Sequence, residues 1–271
     1  VSIKALPKAK RKVERITKVL PALIRKCRNY PRETIFHFHD SELIPVGLYL
    51  KLKGYKVIYD VHEDVPKDLL TKHWIHSSLR SIASRFILLL EGFVSKKFDA
   101  ILTVVPSLTE RFISANVYEI RNYPVASSVQ LATTENRSKN KKYVIYIGDL
   151  TTRRGIPNMV DAIIKVDRSI EFYLGGTFSE HGLKEKLKKA KGWHRTKHLG
   201  WVDQEDLPQL LQNAVAGMLT LNDIPTHRDS FPVKLFEYML AGIPVIASDF
   251  PLWRKIIKDA NCGILVNPDN S

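Results

Sequence analysis

The sequence predicts an α/β protein built from two Rossmann-like, doubly wound parallel-sheet domains. Three observations predict this. Short apolar runs alternate with helical stretches along most of the chain, the rhythm of parallel strands joined by crossover helices. The run 143–147 passes through a glycine turn, Gly148 to Gly155, into a helix starting near Ile156, and a strand, a glycine turn and a helix start make an anion site. The stretch 229–248 reads as loop, helix, turn and strand.

That last stretch organises the functional reading. Pro232 fits a first helical turn, where its missing N–H costs nothing. Val233, Phe236, Glu237 and Leu240 follow at helical spacing, and Ala241 and Gly242 end the run before an apolar strand over 244–247. The first backbone N–H groups of such a helix are unpaired and partly positive, so the end that carries Val233, Lys234 and Leu235 suits a phosphate, with Lys234 adding a full charge. Asp229 lies in the entry loop, and Glu237 about two turns inside the helix, roughly 8 Å past its start at ~1.5 Å per residue. Two acids flanking a diphosphate match a nucleotide sugar, which is ribose, two phosphates and hexose. The plainer reading makes Asp229 or Ser230 an N-cap and puts Glu237 on a solvated face.

Composition sets the outer limits. The chain has 271 residues, 44% of them apolar, enough for two cores of ordinary size. No run approaches the ~20 apolar residues of a membrane span; the greasiest piece, 86–90, is flanked by Arg85 and Glu91. Cys27 and Cys262 lie far apart without metal-ligand spacing, so neither a disulfide framework nor a zinc site is expected, and a soluble chain in a reducing cytoplasm is. The net charge of +14 implies an anionic partner. Lys4, Lys8, Lys10, Arg11, Lys12, Arg15, Lys18, Arg25, Lys26 and Arg28 crowd residues 1–28, interleaved with Val13, Ile16, Val19, Leu20, Leu23 and Ile24 at steps of three and four. This is a basic amphipathic helix, either packed with one solvated face or lying on an anionic membrane surface.

Strands are expected over 34–39 and 56–60, with a helix over 41–53 between them that Gly54 ends. One long helix over 68–97 leads to a strand over 100–104, a helix opened by Pro106 and a short strand over 118–121. His62 stands just past the carboxyl end of the 56–60 strand, where open α/β sheets bind ligands; a histidine that merely caps the strand is the alternative. His37 and His39 share a strand face, but no Asp, Cys or third His lies at a helpful spacing in sequence, and no metal is expected. The first domain spans 1–125, and a Ser-, Thr-, Asn- and Lys-rich linker 126–142. The second domain spans 143–271, where six strands alternate with five helices and Gly176 ends the 171–176 strand so that a ligand can approach the backbone.

Asp229, the seven residues after it, Glu237 and then Tyr-Met-Leu-Ala-Gly-Ile-Pro-Val-Ile-Ala-Ser resemble the donor motif of the retaining GT-B glycosyltransferases of family 4, usually Glu-x7-Glu. The resemblance covers nearly the whole chain and is strongest from Tyr143 onward. It implies two domains around an interdomain cleft, a nucleotide diphosphate sugar of UDP or GDP type as donor, and no metal or other cofactor. It assigns Glu237 to the ribose, Asp229 to the sugar hydroxyls, and His62, in Asp-Val-His-Glu, to the donor sugar. The family's Gly-Arg-Leu turn stands here as Gly148-Asp149-Leu150, so an acid replaces one of two phosphate-clasping cations; Arg154 matches the other, and Arg153 or Lys234 compensates. Val202 falls beside the nucleobase. Family members begin with a strand and a glycine loop and continue beyond a point like Ser271, so the resemblance implies an incomplete first domain and a chain short at both ends. The acceptor implied is a glycan or lipid-linked sugar in polysaccharide assembly at the inner membrane face. A nucleotide-sugar epimerase of the same architecture would need neighbouring acid and base groups and no second substrate site. A non-catalytic basic module for nucleic acid or membrane remains the other alternative, although no nucleic-acid motif supports it.

Overall fold

The computed structural model describes residues 2–9, 12–71, 75–112, 116–125 and 143–268, and the expected linker 126–142 lies outside them. The chain divides into two compact units, Val1–Arg121 and Asn122–Ser271.

The first unit begins with α1 (Lys12–Glu14), a π turn over Arg15–Val19, and α2 (Leu20–Cys27). The sequence pattern predicts one regular helix here. Pro21 has no N–H to return to Thr17, and the Leu20 amide reaches back to the Arg15 carbonyl instead, which widens the turn. Val13 and Ile16 of the expected apolar stripe are exposed, while Leu20, Leu23 and Ile24 are half-buried. Strands β1 (Ile35–Phe38), β2 (Lys56–Val61), β3 (Ala100–Thr103) and β4 (Val117–Glu119) then form a parallel sheet in that order. Between β1 and β2 lies α3 (Ile44–Leu52), and between β3 and β4 lies α6 (Pro106–Arg111).

The helix expected over 68–97 is two helices, α4 (Val65–Thr71) and α5 (Ser77–Ser95). His76 has extended backbone at the start of α5 (ψ 138°), its ring bonded to the Ser78 hydroxyl at 2.8 Å, so helical geometry does not pass through it. Residues 72–74 lie outside the description. Glu91 is fully buried and ties three elements together: its carboxylate accepts from the Tyr59 hydroxyl (2.9 Å) and from Arg111 (2.8 Å). Arg111 also donates to Asp64 at 2.7 Å, which fixes the loop that follows β2 and carries His62.

The second unit contains β5 (Tyr143–Ile147), α7 (Ile156–Ala162), β6 (Glu171–Gly175), α8 (Leu183–Lys188), β7 (Thr196–Gly200), α9 (Leu207–Gln212), β8 (Ala216–Leu219), α10 (Pro225–Arg228), α11 (Val233–Leu240), β9 (Val245–Ser248), α12 (Pro251–Ala260) and β10 (Gly263–Val266). Its sheet is parallel throughout, in the order β10-β9-β8-β5-β6-β7. Counted from β5, the chain first builds outward through β6 and β7, then returns to add β8, β9 and β10 on the other side. The direction of winding therefore reverses between β5 and β8, and it is at such a point, beyond the carboxyl ends of the strands, that open parallel sheets bind ligands. The sheet is buried on both faces. Ile145 packs with Leu235, Tyr238 and Trp253 on one side, and its neighbour Tyr146 packs with Ile156, Phe172 and Leu174 on the other.

Among the described residues α10 is a helix beyond the five expected, and it occupies what the sequence suggested was an entry loop. Ile224 is extended ahead of Pro225, which supplies the first helical residue. Pro232 is correspondingly an N-cap in extended geometry (ψ 123°), not a residue of the first turn.

Close packing at Gly217 in β8 gives a test of the fold. A Cβ there would stand 2.3 Å from the Tyr238 ring. Gly217→Ala is expected to lower stability by about 1–3 kcal/mol in urea titrations. Gly92→Ala, on α5 where an added methyl meets nothing within 4 Å, is expected to raise it by about 0.5–1 kcal/mol. Equal effects at the two positions would contradict the packing described.

Candidate functional site

Residues from three connections meet where the winding of the second sheet reverses. Gly148 follows β5, and its amide donates to the Gly175 carbonyl at 2.9 Å. A Cβ on Gly148 would lie 2.5 Å from Lys234 Cε and 2.7 Å from its Nζ, so only glycine lets the lysine of α11 lie against this turn. Gly176 packs as tightly from the next strand, since a Cβ there would meet the Gly148 carbonyl oxygen at 1.8 Å. Gly155 (φ 72°) starts α7 against the loop that leaves β8, where its Cβ would overlap the Thr220 carbonyl oxygen at 1.9 Å. That loop is pinned to the turn: the Asn222 amide donates to the Arg153 carbonyl (3.2 Å) and its side chain to the Thr152 carbonyl (3.0 Å).

The charges at this point are held against their own preference. Burial lowers the pKa of Lys234, and the neighbouring Arg154 lowers it further, while Glu237 and Asp149 pull it back up. Burial likewise raises the pKa of Glu237, with Lys234 opposing the rise. Lys234 Nζ also sits 5.5 Å from the centroid of the Tyr146 ring, whose hydroxyl pKa burial pushes up to about 12. Arg154 is thus near enough to disfavour the charge on Lys234, and an anion between the two would relieve the lysine. Asp149, the acid in a position expected to be cationic, accepts from the Ser179 hydroxyl at 2.5 Å beside β6.

The entry to α11 is fixed from behind. The Trp253 indole, fully buried, donates to the Ser230 carbonyl at 2.7 Å, and the Ser230 hydroxyl bonds the His227 carbonyl at 2.9 Å. Phe236 on α11 meets Tyr123 edge-on with 4.7 Å between ring centroids, and Tyr123 belongs to the Asn-Tyr-Pro turn that opens this unit.

The sequence-predicted residues fall into three groups. Gly148, Gly176, Arg154, Lys234 and Glu237 come together at the reversal point. Val202 lies just past β7, where its Cγ2 would be 2.8 Å from a Cβ on Gly175, over the ends of β5 and β6. Val233, the first residue of α11, is partly exposed. Others stand differently from expectation. Glu237 is one turn into α11, about 6 Å at ~1.5 Å per residue, because the helix begins at Val233. Leu235 is buried in the core and its amide already donates to the Pro232 carbonyl at 3.0 Å, so the open helix end is left to Val233 and Lys234. Asp229 is the exposed C-cap of α10, and Arg153 is exposed with its carbonyl engaged by Asn222.

His62 belongs to the first unit, where its Nε2 lies 3.1 Å from an oxygen of the half-exposed loop's neighbour Asp60 on β2. Asp60 also meets His37 and His39, so the ligand-type partner that sequence spacing did not supply comes from the adjacent strand.

The sequence reading also missed His227 and Asn222. His227 is buried, and burial lowers its pKa, with Arg154 and Arg153 acting in the same direction and its bond to the Asn222 carbonyl (2.9 Å) opposing them. A lone histidine between Thr226 and Arg228 gives no pattern to find it by; its position beside the arginines follows only from the α10 turn.

Comparison with known proteins agrees with this architecture. The glycosyl transferases group 1 family matches residues 131–271. A Klebsiella pneumoniae protein described as an uncharacterized 41.2 kDa protein in the cps region is 25% identical over 264 residues, spanning 90% of this chain and 68% of that protein. The Escherichia coli O-antigen chain mannosyltransferase B is 24% identical over 233 residues, 79% of this chain but only 55% of its own length. Among solved structures, sucrose-phosphate synthase from Thermosynechococcus elongatus superposes with a TM-score of 0.72 at 18% identity, over 97% of this chain and 68% of that one. Anabaena HepE in complex with UDP-glucose superposes with a TM-score of 0.70 at 16% identity, over 96% and 71%. The structural likenesses carry the fold, GT-B with two parallel-sheet α/β domains. The chain belongs to the glycosyl transferases group 1 family.

Proposed function

We propose that this chain is a retaining, metal-independent glycosyltransferase of family 4 type. In this reading a hexosyl group passes from a UDP- or GDP-sugar to a hydroxyl of a glycan or lipid-linked acceptor. The observation that carries it is the pair Lys234 and Glu237 on α11: two ionisable groups one turn apart, both pushed by burial toward neutrality, at the reversal point of a parallel sheet. Paired ionisable groups shifted in opposite directions by burial are characteristic of binding and catalytic sites.

The diphosphate docks on Lys234, Arg154 and the amides at Val233 and Lys234, against the backbone of Gly148 and Gly176. Glu237 takes the ribose hydroxyls, Asp229 the sugar hydroxyls, and Val202 lies beside the base. Arg153 adds charge at the rim. His62, past the carboxyl end of β2 in the first unit, is assigned to the sugar by the family resemblance. As the bond from the anomeric carbon to the diphosphate oxygen breaks, negative charge grows on that oxygen, and cations already in place stabilise it without reorganising. The acceptor oxygen bonds the anomeric carbon, and its proton leaves to the departing phosphate.

Similar proteins support the donor class. Complexes of similar fold hold UDP-glucose, or UDP with α-GlcNAc-glycerol. Relatives include the O-antigen chain mannosyltransferase B and a phosphatidyl-myo-inositol mannosyltransferase, which favour polysaccharide or glycolipid assembly. Among the described residues no helix is long and apolar enough to cross a membrane. We place the chain at the cytoplasmic membrane surface through residues 1–28, where Val13 and Ile16 are exposed beside Arg15 and Lys18. Co-sedimentation with phosphatidylglycerol vesicles is expected to fall with salt and with Ile16→Ser; retention of full binding in both cases would exclude this face.

The donor site has a test with two readouts. A carboxyl group whose folded pKa is raised adds stability below its unfolded value and loses that contribution as pH rises through the folded one. A lysine whose folded pKa is lowered adds stability above its unfolded value and loses it as pH falls through the folded one. At pH 7, above the ordinary carboxyl value and below the ordinary lysine value, both contributions are diminished. Glu237→Gln and Lys234→Met are therefore expected to be at least as stable as the parent in urea at pH 7. In calorimetry with excess chelator, the parent is expected to bind a UDP- or GDP-sugar and both variants to lose at least about tenfold in affinity, the cost of one charge-assisted hydrogen bond. The glycoside formed is expected to keep the donor's anomeric configuration by NMR. Donor affinity unchanged in both variants would refute the reading.

A further inference from the structure

Three histidines of the first unit converge on one carboxylate. Strands β1 and β2 run parallel with His37 opposite Ile58 and Phe38 opposite Tyr59. Side chains alternate along each strand, so His37 on β1, His39 just past its end and Asp60 on β2 share a face, while Phe38 and Tyr59 point into the core. His62 joins them just beyond the end of β2. From the same oxygen of Asp60, His37 Nε2 lies at 3.1 Å, His39 Nδ1 at 3.3 Å and His62 Nε2 at 3.1 Å. The ring centroids run in a row, 4.7 Å from His37 to His39 and 4.9 Å from His39 to His62.

A carboxylate oxygen has two lone pairs, and three imidazoles cannot all donate to it well. A cation between them resolves the crowding, since neutral imidazoles and the carboxylate then all direct lone pairs at one centre. The N and O ligands of a tetrahedral zinc, at about 2.0–2.2 Å from the ion, stand roughly 3.3–3.6 Å from one another. The ligand-type atoms of His37, His39 and Asp60 lie within 4.8 Å of one another, so small rotations of exposed rings reach that geometry. The side chains of His37 and His39 are 42% and 56% exposed, which leaves an ion a path from solvent, while Asp60 is 12% exposed and fixed on its strand.

We propose that His37, His39 and Asp60, with His62 as the fourth ligand, form a binding site for a zinc-class divalent transition metal. Imidazole nitrogens with one carboxylate select zinc, copper or nickel over magnesium or calcium, which prefer all-oxygen sets. Apart from His62, the site shares no residue with the donor reading. Where that reading also holds, metal occupancy takes His62 from the sugar and lowers the transfer rate.

The test uses the full chain, stripped with chelator and dialysed, titrated with zinc chloride by calorimetry and with cobalt(II) by visible absorption. One equivalent of zinc is expected to bind in the micromolar range or tighter, and cobalt to give the intense bands of a tetrahedral site. His37→Ala and His39→Ala are each expected to weaken binding at least about tenfold, as the loss of a ligand must cost no less than the loss of its supporting partner. Both side chains are exposed, and circular dichroism checks that each variant folds. Glu237→Gln is expected to leave zinc affinity unchanged, which separates this site from the donor site. Absence of binding at micromolar zinc, or binding that survives both histidine changes, would overturn the proposal.

Discussion

The approach of Lys234 to the backbone of Gly148 is the constraint on which the second unit depends. The lysine's last carbon and nitrogen occupy the space a side chain at Gly148 would fill. This brings the start of α11 onto the turn after β5, across the gap where the sheet changes its winding direction. The other close approaches serve the same end: Gly155 against Thr220 and Gly176 against Gly148 hold three connections within reach of one ammonium group. These last two approaches are made by backbone, so the connections around the lysine are held independently of side-chain rotamers.

That arrangement has a cost in stability and a chemical use. Burial and then Arg154 disfavour the charge on Lys234, and burial disfavours ionisation of Glu237 although Lys234 opposes it. In the proposed reading a diphosphate sets negative charge between Lys234 and Arg154 and relieves the repulsion that the lysine bears. Asp149 is compatible with such a site because its carboxylate accepts from Ser179 and offsets the lysine's loss of basicity. The first unit has a comparable concentration of polar groups. The Tyr59, Glu91, Arg111 and Asp64 chain braces the loop of His62 from the core side. On the opposite face of β2 the three imidazoles meet Asp60.

Much of this was legible in the sequence, and the parts that were not have physical reasons. Buried parallel strands are continuous apolar runs, which is why 143–147 matches β5 to the residue. The glycine turn after β5 and the helix after Asp229 were visible because helix starts and glycines are local features. Features set by register or by single backbone angles were hidden. Asp60 meets His37 and His39 only because β1 and β2 pair with a particular offset, which no spacing along the chain encodes. The break before α5 rests on the extended geometry of His76, in a stretch whose apolar periodicity runs on past it. Four residues, Pro225 to Arg228, are too few to show a helical period, so α10 went unseen and with it the burial of His227. The depth of Glu237 was overstated because Pro232 suits both an N-cap and a first turn.

The central claim is that a diphosphate binds at the reversal point of the second sheet, between the Gly148 turn and the first residues of α11. A crystal structure of the chain with a bound uridine or guanosine diphosphate tests it most directly. The account predicts phosphate oxygens within hydrogen-bond distance of Lys234 Nζ and the Arg154 guanidinium, with a ribose hydroxyl on Glu237. A nucleotide seated elsewhere in the second unit, with Lys234 still closed against Tyr146 and Gly148 and touching no phosphate, would contradict it.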